Sequence, residues 1–210
     1  MILDYVREPE AIYEASFRKI DALPELAGWE GDAKTLATRV VHACGMPDVA
    51  GDLRISNGAA DAGRKALRDG ADIFLDVESL RPGIMQRLLP ADTSMHCAIF
   101  DEATREHAET YGMTRSAAQI DLWGDRLEGQ IVVIGNAPTA LFRLLERIDE
   151  GAARPALVVA FPVGFVGAAE SKDELVRDSR GMAYVTLLGR RGGTAMAQAA
   201  VNAIAGGLAR

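Results

Sequence analysis

The clearest pattern in the chain is Ile131-Val-Val-Ile-Gly-Asn-Ala-Pro-Thr-Ala-Leu-Phe-Arg-Leu-Leu-Glu. Four apolar, mostly β-branched residues predict a buried strand. Gly135 permits a sharp turn, and Pro138 suits the first turn of a helix whose apolar residues then recur at helical spacing. The same order returns where Leu157-Val-Val-Ala-Phe-Pro-Val leads into Gly164-Phe-Val-Gly-Ala-Ala-Glu-Ser-Lys, and where Tyr184-Val-Thr-Leu-Leu leads into Gly189-Arg-Arg-Gly-Gly-Thr. Each crossing sets free N–H groups of a helix start at the carboxyl end of a strand, where α/β sheets bind ligands. Three of them point to a polyanionic ligand.

Periodicity predicts helices over Pro9–Ala22, Asp32–Cys44, Ala59–Asp69, Glu102–Tyr111, Ser116–Arg126, Thr139–Asp149, Ser171–Asp178 and Thr194–Leu208, with a shorter one near Glu78–Leu88. Strands are predicted at Leu53–Ser56, Asp72–Val77, Met95–Phe100, Gln130–Ile134, Ala156–Phe161 and Ala183–Leu188. Strand and helix alternate from about residue 53. The expected fold is therefore a three-layer α/β/α arrangement with a mostly parallel central sheet. An N-terminal helical segment is expected to sit outside that unit. No linker or repeat divides residues 1–210, so one domain is expected. The small-residue helix from Thr194 is read as packing on the sheet, or on a second subunit.

Composition narrows the function. A formal charge of −7 argues against general nucleic-acid binding, so any anion must be held by local arginines and helix ends. No apolar run reaches the ~20 residues of a membrane helix, and the first residues lack a signal-peptide pattern. Cys44 and Cys97 have no metal-type spacing, so a reducing cytoplasm is the expected setting. Neither a phosphate-loop motif nor Gly-x-Gly-x-x-Gly follows any strand, which weakens a nucleotide-dependent enzyme. No cofactor or metal is expected.

Of the three histidines, His42 ends a helix just before Gly45. A helix C-terminus stabilises an imidazolium, which suits either a proton donor or a simple helix-end cap. Arg39 shares its helical face. His96, at the start of a strand, and His107, between Glu106 and Glu109, are read as structural, and Cys44 lacks the partners of a nucleophile. Asp76 and Glu78 end a strand at the functional edge, where they could bind magnesium, act as a base or cap the next helix. Ser16 lies on the first helix without a distinctive signal. Thr114 is a candidate cap, and Arg115 projects from the same helix start, toward either an anion or a surface ion pair.

Taken together, Val41-His-Ala-Cys-Gly, Thr114-Arg-Ser-Ala-Ala, Gly135-Asn-Ala-Pro-Thr-Ala-Leu-Phe, Pro162-Val-Gly-Phe-Val-Gly-Ala-Ala-Glu-Ser-Lys and Gly189-Arg-Arg-Gly-Gly-Thr-Ala-Met resemble the precorrin-8X methylmutase (precorrin isomerase) family. The resemblance runs from about Tyr5 to Ala205. It implies a cofactor-free isomerase of cobalamin biosynthesis that moves a methyl group from ring carbon 11 to ring carbon 12 of a corrin precursor, giving hydrogenobyrinic acid. It implies His42 as the catalytic acid/base and Ser16 and Arg39 as substrate contacts. Thr114, Arg115, Ser116 and Asn136, with the helix starts near Asn136 and Gly167, would hold peripheral carboxylates. It further implies a homodimer with sites at the subunit interface. The chain departs from the family pattern at Leu75, Ser79, Arg81, Pro82 and Arg191. The rival reading is a tetrapyrrole carrier on the same scaffold, which would bind a coloured ligand without converting it.

Overall fold

The computed structural model describes residues 3–209. Six strands form one sheet: β1 (Leu53–Ile55), β2 (Ile73–Leu75), β3 (Met95–His96), β4 (Ile131–Ile134), β5 (Leu157–Ala160) and β6 (Ala183–Leu187). Their spatial order is β1-β6-β5-β4-β2-β3. Every pairing is parallel except that of β1 with β6. The described residues form eight α-helices: α1 (Pro9–Asp21), α2 (Gly31–Cys44), α3 (Ala59–Arg68), α4 (Glu102–Tyr111), α5 (Arg115–Trp123), α6 (Pro138–Asp149), α7 (Ala168–Arg177) and α8 (Thr194–Gly206). The three-layer α/β/α fold expected from the alternation is the one observed.

The strands alternate their side chains between two cores, as the pleat requires. Ile73, Leu75, Ile131, Val133, Leu157, Val159, Val185 and Leu187 face α2, α3 and α8. Phe74, Val132, Ile134, Val158 and Ala160 face α5, α6 and α7. Burial on both faces explains why β4 and β5 read as unbroken apolar runs. Pro138 opens α6, and Leu141, Leu144, Leu145 and Ile148 form its buried stripe.

The N-terminal segment is only half outside the unit. Helix α1 buries Ile20 alone, but α2 buries Leu36, Ala37, Val40 and Val41 within the first core and packs along α8. The small residues of α8 permit that approach, so helix and sheet share its packing. The helix predicted near Glu78–Leu88 is replaced by two 3-10 turns, Glu78–Gly83 and Gln86–Leu88, because Pro82 cannot donate within an α-helix. The strand predicted from Met95 to Phe100 keeps only its first two residues, paired at the sheet edge.

After β6 the chain passes close beneath the end of β5. A Cβ on Gly192 would lie 2.4 Å from the Phe161 carbonyl oxygen and 2.6 Å from that of Pro162. Backbone cannot yield as a side chain does, so Gly192→Ala is expected to cost roughly 3 kcal/mol. The measurement is the urea midpoint; an unchanged value would show that this approach is looser than described.

Candidate active site

Two helices build the centre of the site. Helix α1 presents Tyr13, Ser16 and Phe17 at one-turn spacing, and α2 presents Arg39 and His42 three residues apart. Gly45, in left-handed conformation (φ 68°), ends α2 and leaves His42 in its last turn. The Ser16 hydroxyl lies 3.1 Å from His42 Nδ1. The Phe17 ring stacks on the imidazole at 4.8 Å, and Tyr13 meets it edge-on at 6.4 Å. The Arg39 guanidinium lies over the same two rings, 4.8 Å from Phe17 and 5.5 Å from Tyr13. His42 is thus fixed through one nitrogen and one face while remaining exposed. Ser16, Arg39 and His42, singled out in the sequence, come together; Tyr13 and Phe17 were missed, although their i, i+4 spacing around Ser16 was a readable signal.

A second group forms where α5 and α6 begin. Thr114 caps α5 by accepting from the Ala117 amide at 3.2 Å, and its hydroxyl lies 2.8 Å from that of Thr139 on α6. Arg115 and Asn136 are exposed, and Ser116 is buried. Arg115 has no carboxylate partner among the described residues, which removes the surface-ion-pair reading of it within this chain. This group belongs to the helical layer opposite α2, and no hydrogen bond, ion pair or ring contact joins it to His42 among the described residues.

The helix start near Asn136 differs from expectation. Its amides are already occupied: the amides of Gly135, Asn136 and Ala137 donate to the Asp76 carboxylate at 2.8, 3.0 and 2.8 Å. Asp76 therefore caps the β4–α6 turn rather than the turn that follows it in sequence. Gln119 locks it further, donating to the Asp76 carbonyl at 2.7 Å and accepting from the Ala98 amide at 3.1 Å. Burial pushes the Asp76 carboxyl up to about 6 against the pull of the three amides. What Asn136 offers a ligand is its side chain, not its backbone.

The remaining candidates have structural partners. Glu78 holds Arg81 through two bonds of 2.9 and 3.0 Å, and Arg81 also donates to the Met95 carbonyl. Arg191 pairs with Asp48 and Asp52. Two of the departures from the family pattern are thereby absorbed in internal ion pairs. His96 bonds Asp72 at 2.7 Å and His107 bonds Asp121 at 2.9 Å. Burial raises the Cys44 thiol above its ordinary range, which disfavours the thiolate a nucleophile needs.

Sequence reasoning also missed Lys172. Its buried ammonium donates to the carbonyls of Pro162 at 3.0 Å and Arg191 at 2.6 Å, tying together the loops that follow β5 and β6. Burial lowers this amine to about 8. In the loop after β5, Phe165 and Val166 stand 86% and 88% exposed, with Arg190 over the Phe165 ring.

A histidine oriented by a hydroxyl, two aromatic rings and unpaired arginines suits proton transfer on a flat, acidic ligand. The sequence profile of precorrin-8X methylmutase matches residues 11–206. A Pseudomonas aeruginosa protein named precorrin-8X methylmutase is 53% identical over 204 residues, covering 97% of this chain and 98% of its own length. A Methanocaldococcus jannaschii protein named cobalt-precorrin-8 methylmutase is 37% identical over 166 residues, covering 79% of this chain and 75% of its own. The solved structure of precorrin-8X methylmutase from Thermus thermophilus superposes with a TM-score of 0.81 at 32% identity, covering 93% of this chain and 96% of that one. The chain belongs to the precorrin-8X methylmutase family, isomerases of cobalamin biosynthesis. No helix of the described residues is long and apolar enough to cross a membrane.

Proposed function

We propose that this chain, as a single domain in the cytoplasm, isomerises metal-free precorrin-8X to hydrogenobyrinic acid with His42 as the acid/base. The observation that carries the assignment of the acid is the fixed imidazole. Ser16 engages Nδ1 and Phe17 covers one face, so Nε2 is left to the ligand. The protonated ring keeps its Nδ1 proton on the Ser16 oxygen and delivers the Nε2 proton to a ring nitrogen beside the migrating centre. That raises the electron demand of ring carbon 12, and the methyl group moves from carbon 11 as a [1,5] shift. No net oxidation occurs and the proton returns to His42. The choice of the metal-free substrate is supported by the nearer relative, 53% identical, being named for precorrin-8X, whereas the cobalt-named one is 37% identical.

Arg39, Thr114, Arg115, Ser116 and Asn136 hold the acidic rim. Arg115 and Asn136 do so from the surface, and Thr114 through the helix start it caps; Ser116, buried, is the least accessible of them. The two groups lie in opposite helical layers, which supports a homodimer whose sites form between copies, the Arg115 surface of one closing on the His42 surface of the other. Two unpaired cysteines, Cys44 and Cys97, suit a reducing compartment.

The test is the visible spectrum of the purified protein mixed with metal-free precorrin-8X. Conversion to the spectrum of hydrogenobyrinic acid is expected. A shifted but unconverted spectrum would overturn catalysis on this substrate in favour of a carrier or of the cobalt form.

A further inference from the structure

A groove of about 350 Å³ shares Tyr13 and Arg39 with the histidine site and lies between two walls. Tyr13, Thr35 and Arg39 of α1 and α2 form one wall; the turn carrying Met85 and Arg87, with the end of α8, forms the other. Arg39 therefore belongs both to the histidine site and to this groove.

What marks the groove is that two arginines free of carboxylates line one concavity. Arg64, Arg143, Arg147, Arg180 and Arg191 are each bound to carboxylates. Asp32 also lines the groove, and its carboxylate is engaged by Arg64. Arg39 and Arg87 face the groove with no carboxylate partner among the described residues; Arg87 donates to the Met85 sulfur at 3.4 Å. Two uncompensated guanidinium groups on one concavity, in a protein of net charge −7, make a local anion site against the overall field.

The second wall is also held in place. Asn202 of α8 accepts from the Met85 amide at 2.8 Å and donates to the Gly83 carbonyl at 2.8 Å. These two bonds clamp the backbone before Arg87 to α8, so little ordering is needed when a ligand arrives. Guanidinium groups suit carboxylates through bidentate, charge-assisted bonds.

We infer that Arg87 binds a peripheral carboxylate of the tetrapyrrole polyacid, so that the grip on the substrate extends from Arg39 along this groove. The inference rests on the proposed seat of the macrocycle at His42. Arg87 is a specificity residue that touches the rim and takes no part in the proton transfer.

Arg87→Gln and Arg87→Lys test it, each assayed for conversion of metal-free precorrin-8X and for binding of hydrogenobyrinic acid by visible titration. A charge-assisted bond on a partly solvated rim corresponds to roughly 5–20-fold in affinity. The Gln variant is expected to raise KM and product Kd by that factor, well beyond its loss of kcat, with Lys intermediate. The deficit should shrink as salt rises. It should vanish for a product whose peripheral acids are amidated, a result that altered folding would not produce. Unchanged KM and Kd in a wild-type background that converts substrate would overturn this inference alone. Equal losses on acidic and amidated ligands would overturn it too. Failure of the wild type to convert substrate would instead count against the proposed function.

Discussion

His42→Ala retains the macrocycle but loses about 10²–10⁴-fold in turnover, the range that general acid–base catalysis supplies. The check is single-turnover conversion of metal-free precorrin-8X, followed by visible absorbance, beside a titration of hydrogenobyrinic acid. Binding survives because the aromatic faces and arginines remain; turnover falls because the imidazole that Ser16 and Phe17 hold in place is removed. Turnover within threefold of the wild type would remove His42 from the chemistry. The same variant reports on assembly. If the sites form between copies as proposed, mixing it with Arg115→Ala gives heterodimers in which one site carries both defects and the other neither. Recovery of up to about a quarter of the wild-type rate is then expected for statistical pairing. Absence of recovery, with subunit exchange demonstrated, would confine each site to one chain.

The largest effect on stability is expected at Asp76. Asp76→Ala strips three amides, two of them fully buried, of their acceptor, at an expected cost of about 3–5 kcal/mol in urea unfolding. Asp76→Asn keeps the shape but turns an N–H toward amide donors, and should lose somewhat less. Acidity gives the sharper test. The carboxyl sits at about 6 in the fold against an ordinary 3.8, so the folded state holds its proton more tightly than the unfolded chain does. The stabilisation linked to that proton is complete below about 3.8 and is lost as pH rises through about 6. The gap in stability between wild type and Asp76→Asn should therefore be wider at pH 5 than at pH 7.5. A gap that widens toward neutrality would mean that the amides outweigh burial and that Asp76 serves as a fully ionised cap.

What the sequence made legible was local. The run Ile131–Ile134 followed by Gly135 and Pro138 specifies a strand, a turn and a helix within a few residues, and all three form. The histidine site was legible because Arg39 and His42 lie on one turn of one helix, and because their neighbours match the family pattern. Strand order was not, because apolar runs buried on both faces do not say which neighbour they choose. Hence β2 beside β4, and β1 antiparallel at the far side of β6, had no signature. Asp76 was placed at the right edge, but its target lies about sixty residues away in backbone amides, which carry no side-chain pattern. Arg81 and Arg191 stood out only as departures from the family pattern; their carboxylate partners, Glu78 near in sequence and Asp48 and Asp52 far from it, show that they complete internal pairs.

The lysine that joins the two loops has a consequence for how this fold tolerates exchange of parts. One ammonium satisfies the carbonyls of both Pro162 and Arg191, so beyond the anchors each loop has alone, such as the pairs of Arg191 with Asp48 and Asp52, the two share this one. Transplanting the segment after β5 from a relative would leave Lys172 half-bonded unless the segment after β6 travelled with it. Separated by the whole of α7 and β6, the two loops form one inheritable module, and a chimera that splits them should be less stable than one that moves both.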